Sequence, residues 1–191
     1  DFDRAADSGQ NAHRLSIEWS RVQPAPDRWD QDAIDRYRDM VRGLIERDMT
    51  PMVTLHHFTN PIWFEEMGGW ENLRAAEYFS QYVAQVVEAL KEYVNLWVTI
   101  NEPNVLTTLA YLQGDWPPGK TGLGSLASVM ENLVRAHAEA YQVIHRIQPE
   151  ARVGIAQNYR SFIPYRSWSP LDRLVTGLLS CLLYTSPSPR D

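Results

Sequence analysis

An amide and a carboxylate stand side by side at the end of an apolar segment, at Asn101 and Glu102. The preceding residues 96–100 are rich in β-branched and aromatic side chains, which favours a buried strand. Pro103 then ends any sheet hydrogen bonding, because proline has no backbone N–H to donate. Residues at the carboxyl ends of strands form the active site in parallel α/β barrels, so Glu102 is a candidate active-site carboxylate. The alternative is that Glu102 is an early helix residue, where a negative charge is favourable.

Two earlier segments also bring polar side chains to predicted strands. Residues 14–21 alternate polar with apolar side chains, which is typical of a strand, and they begin with Arg14. A buried arginine is costly without a partner, which predicts a carboxylate nearby. Residues 52–55 form a short buried strand that ends in His56 and His57. Because no third ligand stands at metal spacing beside this histidine pair, we predict no metal site.

The segments between these strands have the apolar spacing of helices. A fourth strand follows the last of the helices, and the order is therefore strand and helix in regular alternation. Such an order implies a parallel sheet with right-handed crossovers. None of the first three strands carries a glycine-rich phosphate loop, which favours a (β/α)8 TIM barrel over a doubly wound sheet. The predicted helices cover residues 31–50, 72–90, 105–113 and 125–147, and the fourth strand covers 153–158.

The composition limits the classes of partner. The chain has 191 residues and a formal net charge of -6, which argues against nucleic acid because phosphate binding needs clustered Lys and Arg. No apolar run approaches the roughly 20 residues of a membrane span, and the single cysteine excludes an intrachain disulfide. The 7 Trp and 9 Tyr suit either a core or stacking against sugars. The first residue is Asp rather than Met, and we interpret the chain as a fragment whose targeting signal could not be observed.

Three motifs at the predicted strands together resemble glycoside hydrolase family 1, the retaining β-glycosidases. The motifs are Arg-Leu-Ser-Ile-Glu-Trp-Ser-Arg-Val-Gln-Pro at 14–24, Thr-Leu-His-His-Phe at 54–58 with Gly-Trp at 69–70, and Trp-Val-Thr-Ile-Asn-Glu-Pro-Asn at 97–104. Their order and spacing fit the family, and the resemblance extends over about residues 3–174. It implies a (β/α)8 barrel of which this chain carries about strands two to five, and hydrolysis of terminal β-D-glycosidic bonds with retention of configuration.

The resemblance assigns a role to five residues. Glu102 is implied to be the acid/base, which protonates the leaving oxygen and later deprotonates the attacking water. Asn101 would hydrogen-bond the sugar 2-hydroxyl, although an Asn here could instead cap the next helix. His57 would contact the glycone, and Arg14 would lie close to the nucleophile and keep it ionised. Asn158 matches an asparagine near the catalytic centre, with a strand-end turn residue as the alternative.

Some residues depart from the family pattern or fall outside these roles. Phe58 stands where tryptophan is usual and Asn104 where an aromatic is often found, which leaves the aglycone preference open. We interpret Glu18 as structural, with a role near the sugar as the alternative, and His56 as a wall residue of the site. For Trp116 we favour packing in the core or a loop over lining of the sugar entrance.

The family's nucleophile motif, Thr-Glu-Asn-Gly, does not occur in these residues. We therefore expect a partial TIM-barrel catalytic domain at 1–177 that is inactive alone, followed by a non-native or disordered tail at 178–191. The expected substrates are β-glycosides and oligosaccharides, with no cofactor, nucleic acid or membrane partner. The glycone, the oligomeric state and any phosphate preference stay open. Two alternatives are a non-catalytic sugar-binding or scaffold barrel and a barrel glycosidase of another family.

Overall fold

The computed structural model of the chain describes residues 1–159 and 161–184. The backbone divides into two compact units, Asp1–Ala156 and Gln157–Asp191. The first unit contains four strands, β1 (Ala12–Ser16), β2 (Thr50–His56), β3 (Leu96–Asn101) and β4 (Arg152–Ala156). Its helices are α1 (Phe2–Asp7), α2 (Trp19–Val22), α3 (Gln31–Ile45), α4 (Ile62–Glu66), α5 (Ala75–Leu90), α6 (Pro103–Thr107) and α7 (Leu123–Ile147), with a 3-10 turn at Gly69–Glu71 and a π-helical turn at Thr108–Gln113. The described part of the second unit contains α8 (Pro170–Tyr184).

The four strands form one sheet in the order β1-β2-β3-β4, and every pair is parallel. Parallel neighbours need a crossover between them, and α3, α5 and α7 supply the long helices of these crossovers. Since all strands run the same way, their carboxyl ends lie along one edge of the sheet. The residues predicted to do chemistry follow or end these strands, so the topology brings them to that edge.

Helix α3 shows how local sequence determines these elements. Its N-cap is Asp30, whose carboxylate accepts a hydrogen bond from the backbone N–H of Ala33 at 2.9 Å. The helix buries one apolar stripe, as the spacing predicts, and is followed by the strand that begins just before Pro51. The stripe consists of Ala33, Ile34, Tyr37, Val41 and Leu44.

An aromatic cluster packs around Trp19 and supports the site edge. Trp19 is 1% exposed and stacks on Tyr82 at 5.1 Å between ring centroids. The buried Tyr82 hydroxyl donates to the carbonyl of Leu55 at 3.0 Å and lies 3.3 Å from that of Ile17. One side chain of α5 therefore joins the carboxyl ends of β1 and β2.

The structure corrects the prediction for the first strand. The strand predicted over residues 14–21 ends at Ser16, because Glu18 caps a helical turn at Trp19–Val22. The helix α1 was not predicted, since residues 1–12 show no clear apolar period. Helix α8 passes through the predicted boundary at residue 177, and residues 185–191 lie outside the described residues, so that boundary stays a prediction. Among the helices of the described ranges, none combines the length and apolar character needed to cross a membrane.

Candidate active site

Arg14 connects three of the four strands by hydrogen bonds. Its Nε donates to the hydroxyl of Thr54 on β2 at 2.7 Å, and its Nη2 donates to Oδ1 of Asn101 on β3 at 2.6 Å. Asn101 is 4% exposed and Thr54 is fully buried. The guanidinium thus fixes the orientation of the Asn101 amide, whose NH2 group points away from this bond.

The surroundings of Arg14 do not test its predicted place beside the nucleophile, because the nucleophile motif does not occur in this chain. Arg14 itself is exposed rather than buried in this chain. Among the described residues, its side chain donates to a hydroxyl and to an amide oxygen rather than to a carboxylate. Thr54 was not singled out from the sequence, although strand register could have found it. Thr54 lies opposite Ser16, which is on the same side of β1 as Arg14.

Glu102 occupies an unusual backbone conformation between β3 and α6. Its φ of 43° and ψ of 59° lie in the left-handed region, which residues other than glycine rarely adopt and which is enriched at functional sites. Its N–H donates to the carbonyl of Ala156 at 2.6 Å, which ties this turn to the end of β4. The β3–β4 register shifts between Val98 and Asn101, so the strand is already irregular before the turn.

Both interpretations of Glu102 from the sequence describe part of its position. It follows the end of β3 and is also the N-cap of α6. Its carboxylate makes no capping hydrogen bond to α6, all of whose residues the structure describes. The backbone of Glu102 therefore forms the turn from strand to helix. Helix capping does not explain why its side chain is a carboxylic acid.

His57 lies directly after β2 and is exposed at the same edge. Desolvation of part of the ring lowers its pKa, the positive charge of Arg14 lowers it further, and the carboxylate of Glu102 acts in the opposite direction. Arg14 and Glu102 therefore each lie within electrostatic range of His57. Phe58 follows, with its ring 4.9 Å from His57 and 5.0 Å from Trp116 between centroids.

His56 belongs to the core rather than to the wall of the site. Only 1% of it is exposed, and its ring meets Trp70 edge-on at 5.1 Å between centroids. Burial lowers its pKa to about 4, which keeps the imidazole neutral at neutral pH. Its Nε2 hydrogen-bonds Oδ1 of Asn60 at 2.8 Å. The neighbouring histidines therefore have opposite environments, one buried and one exposed.

The structure brings four predicted residues to one edge of the first unit: Arg14, Asn101, Glu102 and His57. The fifth, Asn158, lies two residues beyond β4 in the second unit, and its part in the site stays a prediction. A cavity of about 420 Å³ runs along the sheet, lined by residues of all four strands that include Arg14, Met52, Val98 and Gly154. Within the described ranges, no three side chains of His, Cys, Asp or Glu are grouped so that they could hold a metal ion.

Parallel strands that alternate with helices, and whose carboxyl ends gather polar side chains, are the arrangement of part of a (β/α)8 barrel. The sequence profile of glycosyl hydrolase family 1 matches residues 1–175, and the chain belongs to that family.

Relatives and solved structures agree with this assignment. Beta-glucosidase A of Thermotoga maritima is 33% identical over 157 residues, which are 82% of this chain and 35% of that protein. The structure of a beta-glycosidase from Pyrococcus horikoshii superposes with a TM-score of 0.89 at 35% identity, over 96% of this chain and 42% of that one. A galactolipid galactosyltransferase of Arabidopsis thaliana is 28% identical over 84% of this chain and 29% of its own length.

These comparisons confirm the predicted partial TIM barrel and the predicted family. They also exclude the alternative of a barrel glycosidase from another family. The chain spans well under half the length of the relatives that it matches.

Proposed function

We propose that the full-length protein hydrolyses terminal β-D-glycosidic bonds with retention of configuration, and that Glu102 is its acid/base. The observation that carries the proposal is the group at the carboxyl edge of the sheet. There Arg14 orients Asn101, Glu102 follows in a left-handed turn, and His57 lies within electrostatic range. The relatives named as β-glucosidases support a β-glycoside as substrate.

Retention requires two carboxyl groups roughly 5–5.5 Å apart, one acting as nucleophile and the other as acid/base. In the first step the nucleophile carboxylate attacks the anomeric carbon, the bond to the leaving oxygen breaks, and the proton of Glu102 moves to that oxygen. In the second step water attacks the same carbon, Glu102 takes a proton from the water, and the nucleophile carboxylate is released. The nucleophile belongs to a part of the protein beyond this chain.

The other residues bind and orient the sugar. The Oδ1 of Asn101 is engaged by Arg14, which leaves the amide NH2 to donate to a sugar hydroxyl. Such a bond to the 2-hydroxyl strengthens in the transition state. Arg14 also supplies a positive charge that would favour an ionised nucleophile. His57, exposed and with a lowered pKa, offers a neutral imidazole to the glycone at neutral pH.

The test is a leaving-group series on the full-length protein with Glu102→Gln. Loss of a general acid costs roughly 10²–10⁴ in rate, and the loss should be greatest for alkyl glycosides, whose leaving oxygen needs the proton. With dinitrophenyl glycosides the rate of the first step should fall little, because their leaving group needs no proton. Added azide should restore turnover of these substrates and give the β-glycosyl azide. Glu131→Gln, at an exposed position of α7, is the matched control. It should change neither the rates of hydrolysis nor the response to azide.

Equal losses for all leaving groups, with no effect of azide, would exclude Glu102 as acid/base. A full-length protein that binds glycosides without turnover would favour the alternative of a sugar-binding or scaffold barrel.

A second candidate is glycosyl transfer, which the relationship to the Arabidopsis galactosyltransferase favours. The first step is the same, and in the second step the hydroxyl of a sugar acceptor replaces water and loses its proton to Glu102. Product analysis with and without a galactoside acceptor distinguishes the two, because transfer yields an oligosaccharide at the expense of free sugar.

A further inference from the structure

The two carboxylate oxygens of Glu18 accept hydrogen bonds from two different segments at the site edge. One oxygen, Oε1, accepts from the hydroxyl of Ser20 at 2.7 Å and from its N–H at 3.3 Å, and so caps α2. The other, Oε2, accepts from the hydroxyl of Thr59 at 2.6 Å. Thr59 lies in the loop after β2, two residues beyond His57. The carboxylate therefore links the end of β1 to the loop that carries His57.

The same loop has a second anchor at Asn60. Its Oδ1 is hydrogen-bonded to Nε2 of His56 at 2.8 Å, and its Nδ2 donates to Oε1 of Glu65 at 2.6 Å. His56 is almost fully buried, so this anchor is set by the core. The loop is held by side chains at its distal positions, whereas the imidazole of His57 is exposed at its beginning.

The backbone between His57 and Thr59 needs such support. Phe58 has a φ of 71°, in the left-handed region that a bulky residue adopts only when its surroundings hold it there. If the bond between Glu18 and Thr59 were lost, the loop could relax at Phe58. The side chain that would move first is His57, because it immediately precedes the strained residue.

We propose that Glu18 is a positioning residue, which through Thr59 holds the loop after β2 so that His57 is presented to the glycone. The inference rests on the proposed function, because it takes His57 to be a sugar contact. It assigns to Glu18 a role in substrate binding in addition to the helix cap that it provides.

Because the two oxygens of Glu18 accept from different residues, each bond can be removed by a separate substitution. Thr59→Val removes the bond to Oε2 and leaves the helix cap, whereas Ser20→Ala removes the hydroxyl bond to Oε1 and leaves the loop contact. In the full-length protein we expect Thr59→Val to raise KM for 4-nitrophenyl β-glucoside about fivefold to tenfold with kcat changed less than twofold, as a partly exposed hydrogen bond to a charge allows. Ser20→Ala should leave KM unchanged, and Thr59→Ser, which keeps the hydroxyl, should restore it.

A double-mutant cycle with His57→Ala tests whether the effect passes through His57. In that background Thr59→Val should cost nothing further. An equal cost in both backgrounds, or an equal effect of Ser20→Ala and Thr59→Val, would reduce Glu18 to a structural residue.

A measurement that does not depend on enzymatic activity can test this inference separately from the proposed function. The imidazole of His57 is titrated by NMR. Partial desolvation and, next, the charge of Arg14 lower its pKa in the unchanged protein. Thr59→Val should move the midpoint towards the ordinary value for histidine, and Ser20→Ala should not. If the full-length protein shows no glycosidase turnover, the proposed function fails while this titration still decides the role of Glu18. An unchanged midpoint in Thr59→Val would refute the positioning role.

Discussion

The buried His56 makes the stability of the first unit depend on pH in the mildly acidic range. The folded protein holds this imidazole neutral, with its pKa lowered to about 4, whereas in the unfolded chain its pKa regains an ordinary value of about 6.5. Below the unfolded pKa the unfolded chain therefore binds more protons than the folded protein. Stability falls as the pH decreases towards the folded pKa.

The size of the effect follows from the difference between the two pKa values. One pKa unit corresponds to about 1.4 kcal/mol. Acidification from about pH 7 to about pH 5 should therefore lower the free energy of unfolding by about 2 kcal/mol through His56 alone. Since the ring is almost fully buried, solvent screening does not reduce this figure greatly.

The assay is urea unfolding of the chain, followed by tryptophan fluorescence, across this pH range. His56→Gln is the comparison, because glutamine can keep a donor towards Asn60 and does not titrate. The difference between the two proteins should shrink by about 2 kcal/mol on going to the lower pH. Comparison of the two curves also removes the contribution of Glu65, whose pKa is raised by burial and which therefore stabilises the fold on acidification.

Parallel curves for the two proteins would refute the reasoning. They would mean that the imidazole becomes protonated inside the fold, which requires the ring to be accessible to water or to an acidic partner. The charges that act on the ring come from Glu18, which favours protonation, and His57, which opposes it.

Three further predictions concern activity and stability. The chain alone should hydrolyse aryl β-glycosides no faster than buffer, and turnover that Glu102→Gln abolishes would contradict this. Tyr82→Phe should lower the free energy of unfolding by about 1–2 kcal/mol, because the buried hydrogen bond from its hydroxyl to the carbonyl of Leu55 is lost; an unchanged urea midpoint would show that the bond contributes nothing. Asp48→Gly should raise the thermal midpoint slightly, by about 0.5 kcal/mol in stability, because Asp48 is exposed with a φ of 56°; a lower midpoint would show that the left-handed turn is not strained.

The sequence predicted the strands, the long helices and the site edge because these depend on local patterns. Periodic apolar residues identify α3, α5 and α7, and the change from an apolar strand to Asn-Glu-Pro identifies the turn at Glu102. Proline and capping residues mark the ends of elements through backbone chemistry alone.

The environments of individual side chains could not be predicted in this way. Two adjacent histidines look alike in sequence, yet His56 packs on Trp70 and His57 is exposed. The strand at Arg14 was extended too far because Glu18 could be assigned as a cap only through its contact with Ser20. The partner of Glu18 at Thr59 is 41 residues away, a separation that no local pattern reveals.

The hydrogen bond between Arg14 and Asn101 joins residues that are 87 positions apart in the sequence. It connects β1 to β3, which lie on opposite sides of β2 in the sheet. It can form only after both parallel crossovers have closed, and such non-local contacts are slow to assemble. The orientation of the Asn101 amide should therefore be among the last features to appear when the chain refolds. During synthesis, the strands and helices should exist before the bond between Arg14 and Asn101 does, and recovery of the native strand pairing should precede recovery of this bond.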